Sequence, residues 1–347
     1  MKAISYSAYD ETPTLVDVPE PVCARDGAVI SVRATGVCRS DWHAWKGHDP
    51  VPLPQIPGHE LAGTIASVGA DVRHWRVGDR VTVPFVNGCG VCDLCLSGNA
   101  QVCPDQTQPG FTGPGSFAER VAISAADVNL VALPDSIDFV TAASLGCRFA
   151  TAFRAITTHG RLRPGDWLAV HGCGGVGLSA VMIGKALGAR VVAVDISEAA
   201  LTRAAELGAE HLVKAGQDID TAATIRDLTG GGAHVSIDAL GTPETAVASV
   251  SCLRRRGRHV QVGLLLGESA TPPLPMDRVI AHELEIYGSH GMAAHEYAAM
   301  LTLVEDGTLR PDRLVGEVLT LVEAGTALAA MDRPATSPGM TVISLSG

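Results

Sequence analysis

Charge is what this chain has little of. Charged residues make up 18% of its 347 residues, below the roughly 25% usual for soluble domains. No segment is charge-rich enough to read as disordered. Positive charge is scarcer still: 26 Lys and Arg against 37 Asp and Glu leave a net charge of −11. That balance argues against a nucleic-acid surface, because phosphate contacts need clustered cations. The one dense basic run, "RRRGR" from Arg254 to Arg258, lies between apolar segments and reads as a solvated turn. Long apolar runs are missing too, since none approaches the ~18 residues of a membrane span. The amino terminus, "MKAISYSAYDETPT", lacks the apolar core of a signal peptide, so a cytoplasmic protein without a membrane partner is expected.

Apolar residues, by contrast, reach 46%, ample for globular cores, and the length exceeds the roughly 250–300 residues at which one core stops growing. Two domains are therefore expected, and two textures appear. Up to about Asp135 the chain shows short β-rich runs broken by Gly and Pro: "KAISYS", "TLVDV", "AVISVRATG", "LAGTIASVG", "RVTVPF", "SFAERVAIS" and "NLVAL". That spacing suits a partly closed β-barrel. After about Arg148, strands and helices alternate. "DWLAVHG", "RVVAVD", "HLVKA", "HVSIDAL", "RHVQVGLL" and "LEIYGS" are candidate strands, with helices over "GVGLSAVMIGKALGA" and, capped by Ser197, "SEAALTRAAELGA". This is the pattern of a doubly wound parallel sheet, an α/β fold. From about Gly291 a further helix, "AAHEYAAMLTLVEDG", and a final strand, "GMTVISL", follow.

Four of the nine cysteines crowd one loop, "GCGVCDLCLSGNAQVC", at Cys89, Cys92, Cys95 and Cys103. In a reducing compartment such a cluster is a metal site or a redox pair. A redox pair needs one Cys-x-x-Cys, usually opening a helix, whereas here the motif is iterated among glycines. Iteration favours a tetrahedral metal, and four thiolates with no water position make a closed zinc site that braces a loop.

The first strand-to-helix turn of the second region reads "HGCGGVG", with Gly172, Gly174 and Gly177 in G-x-G-x-x-G spacing and Gly175 and Val176 between them. Gly172 serves the turn, Gly174 lets the backbone approach a pyrophosphate, and Gly177 allows close helix–sheet packing. Asp195 ends the next strand, close to the ~20-residue spacing expected of the acid that binds the adenosine ribose. A carboxylate there would repel a 2′-phosphate, so NAD is favoured over NADP.

A group that polarises a C–O bond must come from elsewhere. "GVCRSDWH" carries Cys38, Ser40, Asp41 and His43, and "PGHE" carries His59 and Glu60. With Cys147 of "LGCRFATAF" as third soft ligand, Cys38 and His59 could form an open zinc site, though spacing alone does not show that the three meet.

The motifs "GVCRSDWHAWKG", "PGHELAGTI", "GCGVCDLCLSGNAQVC", "LGCRFATAF" and "GCGGVG" occur together in one order. In that combination, over essentially its whole length, the chain resembles the zinc-dependent alcohol dehydrogenases of the medium-chain dehydrogenase/reductase family. The resemblance implies a GroES-like, partly open β-barrel catalytic domain over residues 1–147 and 291–347, and a Rossmann NAD-binding domain over 148–290. It also implies two zinc ions per chain: a catalytic one on Cys38, His59 and Cys147, and a structural one on Cys89, Cys92, Cys95 and Cys103. By the same resemblance Ser40 and His43 form a proton relay, Asp41 orients His59, and Glu60 is a carboxylate behind the metal. Arg39 would contact the cofactor pyrophosphate, and Val262 and Leu264 would lie at the nicotinamide end. Trp45 and Phe85, with Trp42 as a further neighbour, would approach the substrate.

Those bulky walls suggest a small or medium, mostly apolar alcohol, aldehyde or ketone as the small-molecule partner. Near the carboxyl terminus many relatives carry a basic residue facing the cofactor, where this chain reads "SPGMTVI". The short segment between Cys103 and "GSFAE" resembles the tetrameric microbial branch, so a homo-oligomer, a tetramer rather than a dimer, is the expectation. A specialised carbonyl or aldehyde reductase of the same family is the alternative enzyme, and a catalytically silent cofactor-binding protein the alternative outside catalysis. Asp195→Ala is expected to weaken NAD about tenfold or more, since hydrogen bonds to a charged group contribute roughly 1.5–3 kcal/mol. It should also relax discrimination against NADP, and steady-state kinetics with both cofactors that kept a strong NAD preference would assign it to another group.

Overall fold

The computed structural model describes residues 1–333 and 339–345. The chain divides into two compact units, Met1–Ala150 with Gly291–Gly347, and Thr151–His290. In chain order, the first segment carries β1 (Lys2–Ser5), β2 (Thr14–Asp17), β3 (Ala28–Val37), β4 (Glu60–Val68), β5 (Arg80–Val83), β6 (Arg120–Ile123) and β7 (Val131–Ala132). The second unit carries β8 (Trp167–His171), β9 (Arg190–Asp195), β10 (His211–Lys214), β11 (Ala233–Asp238), β12 (Leu253–Gln261) and β13 (Glu285–Gly288). The returning segment adds β14 (Val315–Thr320) and β15 (Met340–Ser344).

In the first unit the strands join in the order β14-β15-β3-β4-β5-β7, with β6 also paired to β3. β3 is the hub, antiparallel to β4, β6 and β15. Its β-branched residues suit a pleated, buried surface, and Ile30 and Val32 pack with Leu61, Ile65, Val81, Val121 and Ile123. Two register shifts between β3 and β4, at Val29/Ile30 and Val32/Ala34, bend the long strand. A short helix, Arg39–Trp45, follows β3 directly, in a region where the sequence shows little helical periodicity.

The second unit is a six-stranded sheet in the order β10-β9-β8-β11-β12-β13, parallel throughout. This is the doubly wound order, with the reversal between β8 and β11. β8 is buried at every position, as expected of a central parallel strand. Helix starts are set by side-chain caps. Ser197 accepts from the Ala200 amide, Asp220 from Ala223 and Thr242 from Thr245. The "RRRGR" run differs from the turn expected of it. Arg254, Arg255 and Arg256 are exposed, but they lie inside β12 as an irregularity, where the pairing to β11 shifts register and Arg256 takes a φ of 63°. Among the described residues no helix is long and apolar enough to cross a membrane.

A Cβ on Gly177, in the helix Gly175–Ala186, would collide with the carbonyl oxygen of Gly172. Gly177→Ala is therefore expected to lower stability by roughly 1–3 kcal/mol, as overpacking does. Thermal denaturation followed by circular dichroism checks this, and an unchanged melting temperature would contradict so close a packing.

Candidate active site

Cys38 ends the extended run that leads out of β3 and stands at the N-cap of the helix Arg39–Trp45. One turn in, Asp41 is buried and spends both carboxylate oxygens on fixed donors. Oδ2 accepts from the Cys38 amide at 3.0 Å; Oδ1 accepts from the Gly58 amide at 3.0 Å and from the His59 Nδ1–H at 2.8 Å. His59 is 1% exposed, and its Nε2, with Nδ1 committed to Asp41, has no hydrogen-bond partner among the described residues. Cys147 lies in a wide π-type turn, Leu145–Phe149, which opens the helical ladder and re-aims a side chain. The Cys38 and Cys147 sulfurs and a His59 ring nitrogen all lie within 4.8 Å of one another. Two thiols converging on an unpartnered, buried imidazole nitrogen is the donor set of a zinc ion with an open position. Asp41 supplies the outer hydrogen bond that metal-ligating histidines require.

The electrostatics point the same way. Hydrogen bonding with Cys147 holds the Cys38 thiol well below its ordinary range, against the effect of burial and with help from His59. The same contact pushes Cys147 well above its ordinary range, and burial adds to it. Burial opposes a charged His59, yet Asp41 and the Cys38 sulfur hold its pKa well above the usual value. The three groups thus hold negative charge and protons in a water-poor place, where a divalent cation would displace the protons.

Ser40 Oγ is 3.8 Å from Cys38 Sγ, beside the three converging groups. His43 is not joined to Ser40; its Nδ1 meets Nδ1 of His48 at 3.2 Å. Burial first, then His48 and Arg39, lowers the His43 pKa and favours the neutral ring. Arg39 donates to the Met331 carbonyl and lies over the Trp42 ring. Phe85 stands edge-on to His59 with ring centroids 5.9 Å apart. Trp45 departs from its expected place in the substrate pocket. It is 2% exposed, packed with Tyr6, Val51, Ile56 and Phe117, and its indole N–H is bonded to the Glu11 carbonyl. The helix turns that side chain into the core and leaves Trp42 half-buried, its own indole on Asp332.

The four cysteines of the loop also converge, within 4.8 Å of one another. Amides of Val91 and Cys92 draw the Cys89 thiol down to about 7, while burial pushes Cys95 up to about 12. No water position remains among four such ligands, so the cluster fits a structural ion.

In the second unit Gly172 has a φ of 89°, left-handed backbone that suits glycine. Gly174 is the N-cap of the helix Gly175–Ala186 with no capping side chain, and a Cβ there would meet nothing within 4 Å. Free helix amides beside open space form an anion cradle, which fits a dinucleotide pyrophosphate. Asp195, half-exposed at the end of β9, accepts from the Cys173 amide at 2.7 Å and the Ser197 amide at 2.8 Å. The carboxylate thereby clips the glycine turn to the neighbouring strand. Val262 follows β12, its amide bonded to the Asp238 carbonyl, and Leu264 is 40% exposed.

Residues 24–135 match the family described as "Alcohol dehydrogenase GroES-like domain", and residues 175–306 the family "Zinc-binding dehydrogenase". An alcohol dehydrogenase of Geobacillus stearothermophilus is 36% identical over 292 residues, 83% of this chain and 84% of the relative. The chain belongs to the zinc-type alcohol dehydrogenases of the medium-chain dehydrogenase/reductase family. The solved structure of alcohol dehydrogenase TADH from Thermus sp. ATN1 is similar at a TM-score of 0.91, with 29% identity and 99% of each chain covered. An NAD-dependent alcohol dehydrogenase structure is similar at 0.89, with 29% identity and 100% of both chains covered.

Several residues around the site of this dehydrogenase escaped the sequence reading. Phe111, in the short segment after Cys103, places its ring 5.1 Å from His59, on which Phe85 also borders. Tyr297 in the returning segment is fully buried and donates to the Gly146 carbonyl at 3.0 Å, bracing the turn that carries Cys147. Arg148 pairs with Glu60 in the interior, and its charge in the apolar run "LGCRFATAF" was the only signal of that partner. Asp238 accepts from the Leu240 and Gly241 amides, Thr245 and Gln261, and so fixes the loops at the ends of β11 and β12. Within "SPGMTVI", Ser337 and Pro338 lie outside the described residues, while Met340–Ser344 forms β15.

Cys95→Ala should remove about one zinc ion per chain and lower the melting temperature, because binding free energy of a structural ion is folding free energy. Metal analysis and calorimetry check both; unchanged zinc content and melting temperature would argue against the brace.

Proposed function

We propose that this chain is an NAD-linked zinc alcohol dehydrogenase that interconverts small or medium, mostly apolar alcohols with their aldehydes or ketones. The observation that carries the reading is the buried His59 imidazole: one nitrogen is locked on Asp41, and the other, beside two cysteine sulfurs, has no hydrogen-bond partner among the described residues. When bound, zinc supplies Lewis acidity that makes an alcohol easier to deprotonate, and the nicotinamide supplies a hydride acceptor.

The chain's own residues supply the rest. Cys38, His59 and Cys147 would hold the ion with two thiolates, which cancel its charge and moderate its acidity. Ser40, beside Cys38, would take the substrate hydroxyl proton, and His43, whose charged form is opposed by burial first and then by the neighbouring His48 and Arg39, suits the role of outer base near pH 7. Phe85 and Phe111 bring apolar ring edges to His59, which supports an apolar substrate and opposes a highly hydroxylated one. In the second unit, the amides at Gly174 and beyond would take the pyrophosphate, and the Asp195 carboxylate, already aimed by two amides, would accept the ribose hydroxyls. The similar NAD-dependent structure supports that cofactor choice.

NADH absorbance with zinc-replete protein and a panel of apolar alcohols, aldehydes and ketones tests the reading. Turnover with NAD far above that with NADP is expected, and silence across the panel would overturn it. Cys38→Ala and His59→Ala should each lower kcat/KM by about 1,000-fold or more, several kcal/mol of lost Lewis-acid stabilisation. NADH binding, followed by fluorescence, should stay within about twofold, a small change on the ~1.4 kcal/mol-per-decade scale. Normal turnover in either variant would remove the metal assignment.

A further inference from the structure

Glu60 immediately follows the ligand His59 and is fully buried at the start of β4. Arg148 immediately follows the ligand Cys147 and is buried as well. The arginine grips the carboxylate with three donors: its amide and its Nε each reach Oε1 at 3.0 Å, and its Nη2 meets Oε2. Both carboxylate oxygens are therefore engaged by one residue. A third segment is shaped around the pair, because a side chain on Gly36 in β3 would collide with Glu60 Oε2 and crowd Arg148 Nη2. Glu60 feels the Cys38 and His59 charges, yet it is not a member of the convergent group formed by Cys38, His59 and Cys147.

Charge balance explains why such a grip matters. Two thiolates cancel a divalent cation and one guanidinium cancels one carboxylate, so with Arg148 in place the buried Asp41, shared among three donors, is the one negative charge left over. Without Arg148 a buried carboxylate loses its cationic partner, a costly state that is relieved by moving toward another cation. The ion held one residue away on the backbone, at His59, offers that relief, since carboxylate oxygen is a good zinc ligand. We propose that Arg148 is a positioning residue whose three-donor grip on Glu60 keeps this carboxylate out of the catalytic metal's coordination shell and so leaves the fourth position open to substrate. The inference rests on the assignment of Cys38, His59 and Cys147 as metal ligands.

Cobalt(II) placed at that site, with zinc kept in the cysteine cluster, gives a visible d–d spectrum that reports coordination number and donor type without substrate or turnover. Arg148→Met should weaken and shift the d–d bands relative to the parent protein, and Glu60→Gln with Arg148→Met should return them to the parent spectrum. Glu60→Gln alone should leave them unchanged. Gly36→Ala, which displaces the pair without removing a charge, should shift the bands in the same direction by a smaller amount, and it carries the test should Arg148→Met not fold. Spectra of Arg148→Met and Gly36→Ala identical to the parent would overturn the proposal, as would a shift that persists when Glu60 is also replaced. Failure of the parent protein to bind cobalt at Cys38, His59 and Cys147 would instead overturn the ligand assignment, and the proposal with it.

Discussion

Asp41 has one carboxylate and three fixed donors to satisfy it, and the chemistry of the first unit hangs on those bonds. One oxygen takes the Cys38 amide; the other takes the Gly58 amide and the His59 ring. Buried from water, these charge-assisted bonds are strong and directional. They tie the end of β3 to the start of β4, so that Cys38, just after the one strand, and His59, just before the other, share one anchor. They also fix the imidazole tautomer, leaving Nε2 for the sulfurs. The Tyr297 hydroxyl performs a comparable service for Cys147 by holding the Gly146 carbonyl.

The two cysteine-containing clusters reach similar compactness by opposite routes. Cys89, Cys92, Cys95 and Cys103 come from one loop, and short helical turns at Asp93–Leu96 and Ala100–Val102 set their spacing. Their convergence is local, and a metal there would stabilise the loop itself. Cys38, His59 and Cys147 come from three separate segments and converge because β3 and β4 pair and a π-type turn swings Cys147 into place. The surrounding buried charge, Asp41 on one side and the Glu60–Arg148 pair on the other, is arranged in advance of any ligand. Such preorganisation holds the three converging groups and their charged supports in one geometry in a low-dielectric interior.

The second unit uses the same device around its glycine turn. Asp195 ties the glycine turn to β9, and Asp238 ties the loops after β11 and β12, so both edges of the switch point are held by carboxylates on backbone amides. Glycine is required where the turn takes a left-handed φ at Gly172 and where the helix rides on it at Gly177. At Gly172 the constraint is the backbone conformation, and at Gly177 it is the lack of space for a side chain.

Features with a local cause were legible in the chain by itself. The four-cysteine loop, the glycine turn with Asp195 after it, the Ser197 cap and the six-strand alternation each follow from spacing and residue type within one short window. The ordered set of motifs also carried the family, and with it Cys38, His59 and Cys147 as candidates. Tertiary structure decided what depends on residues far apart in sequence. Trp45 turned out to be core because the helix Arg39–Trp45, invisible to periodicity in so short a stretch, directs it toward Tyr6 and Phe117. The "RRRGR" run became part of β12 because strand pairing absorbed it as a register shift. Phe111, Tyr297 and the Arg148 grip on Glu60 have no local signature, since each is defined by a partner on another segment. Sequence spacing names the residue types that chemistry needs; only chain packing determines which of their atoms face one another.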